Sequence, residues 1–474
     1  MAELHELGLV EAADAIRCGE VRAEALVEAL IGRAEQHADL NCFIDFDVEG
    51  ARAAARQADR QRKVGERLGA LHGVPMTFKD SINVAGMRTT AGSAALRAHR
   101  PARSAPVVDR LVRAGAIPLG KNGMHEFSFG ITSNNATFGP PRNPFDPLMI
   151  PGGSSGGTAA SIAARLTPAG IGTDTGGSVR IPASLCGVWG FRPTTKRWPQ
   201  AGIVPISYTR DTPGPLARHI DDLVVLDALV VGETKPLLPA AIETLRLGVP
   251  RAHFWEELDT EVREQCEAAL ATLRNAEVTL VEVDISDLIP IDALSSFVVT
   301  LYEIHSAMAT YLEAEGLKIS FREIAEASES PDVHELLATT LDPHRAVTRA
   351  DYQAALNQHR PRLIRAYQDH FDKDRVDAYV FPTCPLPARP IGEDVTVELN
   401  GQRVPTFGTF MRNTGPGSNA DLPGLTLPVG LTSRGLPIGL ALDAAAGRDR
   451  ELLAVGLALK SLLGQTPDPF AAKR

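Results

Sequence analysis

The sequence predicts one large α/β domain with a helical elaboration, and three features of its 474 residues predict it. Residues 5–65 and 255–375 are charged and rich in Ala and Glu, with apolar residues at helical spacing. Residues 70–215 alternate short apolar runs such as "GAIPLG", "PAGIGT" and "CGVWGF" with clusters of Gly, Pro, Ser and Asn, the punctuation of strands and tight loops. Near the C-terminus, strand-like "DAYVFPTCPLP", "PGLTLPVGL" and "LPIGLALD" precede a last helix around "DRELLAVGLALKSLLG" that returns the chain to the sheet.

In chain order, residues 1–65 read as N-terminal helices, of which residues 1–36 form an amphipathic helical pair with no uninterrupted apolar core of signal-peptide type. Residues 66–220 form the core. There "GALHGVPMTFKD" is a β-like run that stops at Lys79 and Asp80, and the low charge and many glycines suit a backbone that must approach a ligand closely. Residues 255–375, with "DTEVREQCEAALATLRNAE" and "SSFVVTLYEIHSAMATYLEAEG", are the expected helical cap, and 376–474 complete the single domain. No repeat of 20 to 50 residues is visible.

Composition narrows the function classes. With 44% hydrophobic and 22% charged residues the chain is globular, and a net charge of -10 opposes a polyanionic partner, so no nucleic-acid binding is expected. Cys18, Cys42, Cys186, Cys266 and Cys384 are odd in number, scattered and never in a CxxC pair, which points to free thiols in a reducing cytoplasm. No run of 18 uncharged apolar residues occurs, so no membrane span is expected.

Three motifs imitate other chemistries. "GAIPLGKN" at 115–122 matches GxxxxGK, but Asn122 stands where a phosphate loop needs Ser or Thr, and Pro118 removes a backbone donor. His125 and Glu126 begin an HExxH pattern whose second histidine position is Phe129. "GGSSG" at 152–156 fits the nucleophile elbow with Ser154 as the serine, but the preceding "RNPFDPLMIPGG" reads as irregular chain where that motif needs a strand. Downstream, His219, His305 and His359 could complete a Ser-Asp-His order, and none has a recognisable local context.

What remains is "PGGSSGGTAASIAARLTPAGIGTDTGGSVR" at 151–180, with two Gly-Gly-Ser triplets, and Lys79 upstream. A serine hydroxyl attacks a carbonyl only if a neighbouring base takes its proton, and a lysine is such a base only when neutral. Exposed lysine is charged at pH 7, whereas burial lowers its pKa by several units. The apolar "VPMTF" before Lys79 provides that burial, and it requires Asp80 to be engaged elsewhere.

With "GVPMTFKD", "GKNGMHEFSFGITSNN", "FGPPRNPFDP", "PGGSSGGTAA", "GIGTDTGGSVRIPASLCGVWGFRPT", "LPGLTLPVGL" and "GLPIGLAL" in order, the sequence resembles the amidase signature family along most of its length. The resemblance implies a mixed central β-sheet flanked by helices, and a triad of Ser178 as nucleophile, Ser154 as bridging serine after a cis bond from Gly153, and Lys79 as base. It also implies an oxyanion hole at the amides of Thr175, Gly176, Gly177 and Ser178, supported by Ser155, Asp174 and Arg180. Phe129, Gly130, Ile131 and Thr132 match the loop that lines the acyl pocket in the family, with Phe297, Leu301, Phe407 and Met411 as apolar candidates from variable regions.

No cofactor or metal is implied, and the expected partner is a small-molecule amide, with a homodimer left open. "HEFSFGITSNN", "YTRDTPGPLAR" and "RNTGPGSNADLPGLTLPVGL" look most like the branch of indoleacetamide and mandelamide hydrolases, which cleave primary amides of arylacetic-type acids. Two alternatives stay open. One is a carbamate, anilide or ester hydrolase with the same triad; the other is the glutaminase subunit of a tRNA-dependent amidotransferase, against which "VVGETKPLLPAA" departs from that subunit's Asp-Ser-Thr-Ser stretch.

Overall fold

The computed structural model describes residues 3–463 and 468–470. In chain order the strands are β1 (Phe43–Phe46), β2 (Pro75–Lys79), β3 (Ile117–Asn122), β4 (Ala169–Asp174), β5 (Trp189–Arg192), β6 (Thr212–Ala217), β7 (Arg246–Pro250), β8 (Thr279–Val283), β9 (Ala378–Pro382), β10 (Thr396–Leu399), β11 (Gln402–Pro405), β12 (Gly424–Leu431) and β13 (Pro437–Asp443). Eleven of them form one sheet in the order β1-β3-β2-β4-β6-β5-β12-β13-β9-β7-β8, and β10 pairs with β11 apart from it. The sheet is mixed. β2 runs parallel to β3 and β4, β7 runs parallel to β8 and β9, and the strands between are antiparallel.

The central strands are buried along their whole length, as a sheet covered by helices on both faces requires, and this is why β2, β9 and β13 read as nearly continuous apolar runs. β4 shows the same burial with glycine instead. A Cβ on Gly172 would stand 2.7 Å from Ser155 Oγ, so the glycine lets the serine segment lie directly on the strand.

Two regions depart from the expected pattern. The N-terminal part contains the expected pair, Leu9–Cys18 and Ala23–Gln36, and a third helix, Val48–Lys63, but β1 stands between the second and third, antiparallel to β3. Four residues of "FIDF" are too short for a periodic signal between helices, and pairing with β3 makes them a strand. The expected cap likewise holds β8, a parallel edge partner of β7, before the helices Leu288–Ala293 through Arg360–Asp374. Leu288–Ala314 is, by length and composition, apolar enough to cross a membrane, which the sequence reading did not anticipate. In the fold its buried Glu303 accepts hydrogen bonds from Ser207 Oγ at 2.5 Å and Tyr352 Oη at 2.9 Å, so one face of that stretch is committed to the protein interior.

Candidate active site

The site forms where β2 and β4 end and the two Gly-Ser segments begin. Lys79 is the last residue of β2 and is fully buried. Its Nζ lies 2.6 Å from Ser154 Oγ and 2.7 Å from Thr173 Oγ1 of β4. Burial lowers its pKa to about 7, against the pull of the Asp211 and Asp174 carboxylates, which favour the charged form.

Asp80, although adjacent, faces the other way. Its Oδ2 accepts from the amides of Thr90 at 3.0 Å and Gly92 at 3.2 Å and from the Thr90 hydroxyl, while Oδ1 stands 3.5 Å from Nζ of the buried Lys121. Lys121 belongs to the "GAIPLGKN" stretch, which forms β3 instead of a phosphate cradle. The buried cation and carboxylate compensate one another, which leaves Lys79 without an adjacent counter-ion.

The peptide bond between Gly153 and Ser154 is cis. "RNPFDPLMIPGG" is irregular and precedes it without a strand, so the nucleophile-elbow geometry is absent at Ser154. Ser155 follows as the N-cap position of the helix Gly156–Ala163; its Oγ donates to the Thr173 carbonyl at 3.2 Å, and its amide donates to the Ser178 carbonyl at 3.2 Å. The two Gly-Ser segments are thus bonded to each other and to β4.

Asp174 ends β4 beneath the "TGGS" turn. Burial would raise its pKa, but the guanidinium groups of Arg180 and Arg192 hold it well below the usual carboxylate range. Arg180 Nε and Nη2 donate to it at 3.1 and 3.2 Å, and the Val179 amide donates at 3.2 Å. The turn is pinned from the other side by Thr414, whose Oγ1 donates to the Gly176 carbonyl at 2.7 Å. Gly177 has φ 140°, and a Cβ there would stand 2.2 Å from Thr414 Oγ1, so only glycine fits. The amides of Thr175, Gly176, Gly177 and Ser178 have no hydrogen-bond acceptor among the described residues. Four uncommitted donors in succession are what a developing oxyanion needs.

Ser178, Thr175 and Gly176 line a cavity of about 330 Å³, a size suited to a small ligand. Of the residues matched to the acyl pocket, Phe129, Gly130 and Ile131 line it, as do Phe297, Leu301, Phe407 and Met411. Thr132 stands behind the wall. Its Oγ1 donates at 2.7 Å to Asp394, which does line the cavity. His125 is buried, with Nε2 3.0 Å from Asp332, and a Cβ on Gly130 would collide with its ring. His219, His305 and His359 do not line the cavity.

Sequence reasoning missed Thr173, Asp211, Arg210, Asp332 and Asp394. Asp211 accepts from Thr175 Oγ1 at 2.5 Å and from the amides of Ile206 and Ser207, so it holds the turn that carries the four free amides. The run "YTRDTPGPLAR" contained the only signal for two of them, and nothing local distinguishes a polar pair at a cavity from one at the surface.

Comparison with known proteins gives the family and the fold. The family model described as Amidase matches residues 25–453. An indoleacetamide hydrolase of Agrobacterium vitis is 43% identical over 96% of this chain and 97% of its own length. A mandelamide hydrolase of Pseudomonas putida is 37% identical over 98% and 93%. Among solved structures, one described as an amidase superposes with a TM-score of 0.87 at 34% identity, covering 97% of this chain and 100% of its own. The native peptide amidase of Stenotrophomonas maltophilia gives 0.84 at 27% identity, with 98% of each chain covered. A mixed sheet whose buried lysine meets Ser154 behind a cavity lined by Ser178 and its turn, matched along almost its entire length by such relatives, places this amide-hydrolysing chain in the amidase signature family.

Proposed function

We propose that the protein hydrolyses the primary amide of a small arylacetic-type acid to the acid and ammonia, through an acyl-enzyme on Ser178. One observation carries the reading: Lys79 is sealed from water, lies 2.6 Å from Ser154 Oγ, and its adjacent carboxylate is turned away toward Lys121. In neutral form Lys79 accepts the Ser154 proton as Ser154 accepts that of Ser178, and Ser178 Oγ forms its bond to the amide carbon. The oxyanion is received by the free amides of the 175–178 turn. The proton then returns to the leaving nitrogen as the C–N bond breaks, ammonia departs, and water repeats the relay to release the acid.

Support for the aryl acyl group comes from the apolar walls, where Phe297 and Phe407 meet at 5.9 Å between ring centroids, and from the indoleacetamide and mandelamide hydrolases among the relatives. The same acyl chemistry serves carbamates, anilides and esters, so the leaving group is set by assay. We also place the enzyme in the cytoplasm, on the scattered thiols, four of which are buried and all of which are free. The test is ammonia release by purified chain from phenylacetamide, indoleacetamide and glutamine, alongside Lys79→Ala and labelling of Ser178 by a fluorophosphonate. Turnover of an arylacetamide that Lys79→Ala abolishes supports the reading. Glutaminase activity that appears only with a partner subunit, or activity lost only on removal of a histidine, overturns it.

A further inference from the structure

Arg210 is 2% exposed, yet it lines the cavity beside the oxyanion turn. Its Nη1 is satisfied, donating to the Ser296 carbonyl at 2.6 Å, Ser296 Oγ at 2.9 Å and Thr300 Oγ1 at 3.2 Å. The rest of the guanidinium is not. Nε is buried with no acceptor, and Nη2 makes no hydrogen bond among the described residues while lying 3.9 Å from where a Cβ on Gly176 would stand. Carboxylates that act on it through space are occupied elsewhere. Asp292 accepts from Asn419 Nδ2 at 2.8 Å, and Asp211 accepts from Thr175 and two amides. Burial lowers the Arg210 pKa to about 10, so it still carries its charge at neutral pH.

A buried guanidinium with a free donor is costly unless something supplies an acceptor, and polar groups of this kind in an apolar pocket fix ligand orientation. Its place is also held in advance: the Arg210 amide donates to the Ser207 carbonyl at 3.0 Å, and Ser207 Oγ is fixed by Glu303. The free Nη2 is next to Gly176, one of the groups that would receive the scissile carbonyl, whereas the apolar residues Phe297, Leu301 and Phe407 provide the wall for a ring.

Resting on the reading above, we infer that Arg210 is a specificity-determining residue that binds an oxygen acceptor carried on the carbon next to the scissile carbonyl. The acyl group it selects is an arylacetyl unit with a hydroxyl or a carboxylate oxygen at that carbon. An acyl group lacking the oxygen leaves the guanidinium unpaired, and such a site discriminates against it more strongly than an apolar pocket could.

The experiment measures binding of intact amides to Ser178→Ala by calorimetry, with phenylacetamide, 2-hydroxy-2-phenylacetamide and the monoamide of phenylmalonic acid as probes. At least one oxygen-bearing probe should bind about 10- to 100-fold more tightly than phenylacetamide, the range of a charge-assisted hydrogen bond, and that advantage should vanish in Ser178→Ala/Arg210→Met. A gain with the hydroxyl probe alone, or with the carboxylate probe alone, identifies which oxygen the site takes. Equal binding of all three, or an advantage that survives loss of Arg210, overturns the inference. Should Arg210→Met fail to fold by thermal melting, Arg210→Gln carries the same comparison. The readout needs no turnover, so it stands apart from the test of the triad: an enzyme that remains active without Lys79 would refute the mechanism and leave this result intact.

Discussion

Replacing Lys79 by methionine should abolish turnover and yet stabilise the protein at acidic and neutral pH. The folded chain holds the Lys79 proton only below about 7, whereas the unfolded chain holds it up to about 10.5, its ordinary value. The unfolded state therefore binds more protons throughout that window, and stability rises with pH across it. Below pH 7 the cost of keeping this amine inside is complete, about 5 kcal/mol for a shift of roughly 3.5 units; by pH 9 it has fallen to about 2 kcal/mol. Methionine removes that cost but deprives the Ser154 and Thr173 hydroxyls of their 2.6 and 2.7 Å partner, a loss of about 1 to 3 kcal/mol. The variant should be more stable than wild type by about 2 to 4 kcal/mol at pH 6, equal near pH 9, and less stable at pH 10.5. At about 2.1 cal/mol/K per residue, the unfolding entropy converts this to a melting midpoint roughly 2 to 4 °C higher at pH 6. Paired melting scans from pH 6 to 10.5 read the effect. A variant less stable at every pH, or a difference that does not change with pH, would refute the claim that Lys79 is held proton-free by burial.

Three further outcomes follow from the same geometry. In wild type, kcat/KM for an amide substrate should climb tenfold per pH unit below about 7 and level off above, since only neutral Lys79 accepts a proton; a profile flat from pH 5 to 8 contradicts the assignment. Asp80→Asn leaves Lys121 buried without its counter-ion and should cost about 3 to 5 kcal/mol in stability by denaturant unfolding, with little loss indicating that the pair is dispensable. Gly177→Ala forces a Cβ against Thr414 Oγ1 at a φ of 140°, and displacement of the turn's amides should lower kcat by about 10²- to 10³-fold, with fluorophosphonate labelling of Ser178 slowed in parallel; unchanged kinetics would mean these amides take no part.

Much of the site lay open in the primary structure because the ordered motifs of the family name its segments and the local residue types agree with them. A run such as "VPMTFK" must bury its lysine if it is a central strand, and "DTGGS" leaves its amides free because the turn offers them no helix or ladder. Asp80 could be required to turn away, but not shown its partner: Lys121 lies 41 positions further on, and only the parallel pairing of β2 with β3 brings them together. The short strand β1 and the edge strand β8 escaped the reading for the same cause, since a strand exists only where a neighbour supplies its hydrogen bonds. Thr132 shows the converse: a residue matched to the pocket by sequence stands one layer back and holds Asp394 instead.

What the sequence by itself determined, then, was an α/β class of fold and, through its resemblance to the family, the segments proposed to form the site, because burial pattern, glycine placement and the order of motifs are legible along the chain. What tertiary structure alone decided was which charges are compensated. Lys79, Lys121 and Arg210 are all basic and all buried, and nothing along the chain shows which of them meets a carboxylate. Folding gives Lys121 a carboxylate, gives Lys79 two hydroxyls, and leaves one arm of Arg210 unpaired at the cavity wall. Coulomb energy and desolvation depend on distance through space, and on that account the charge state and role of each are fixed only when the distant segments pack together.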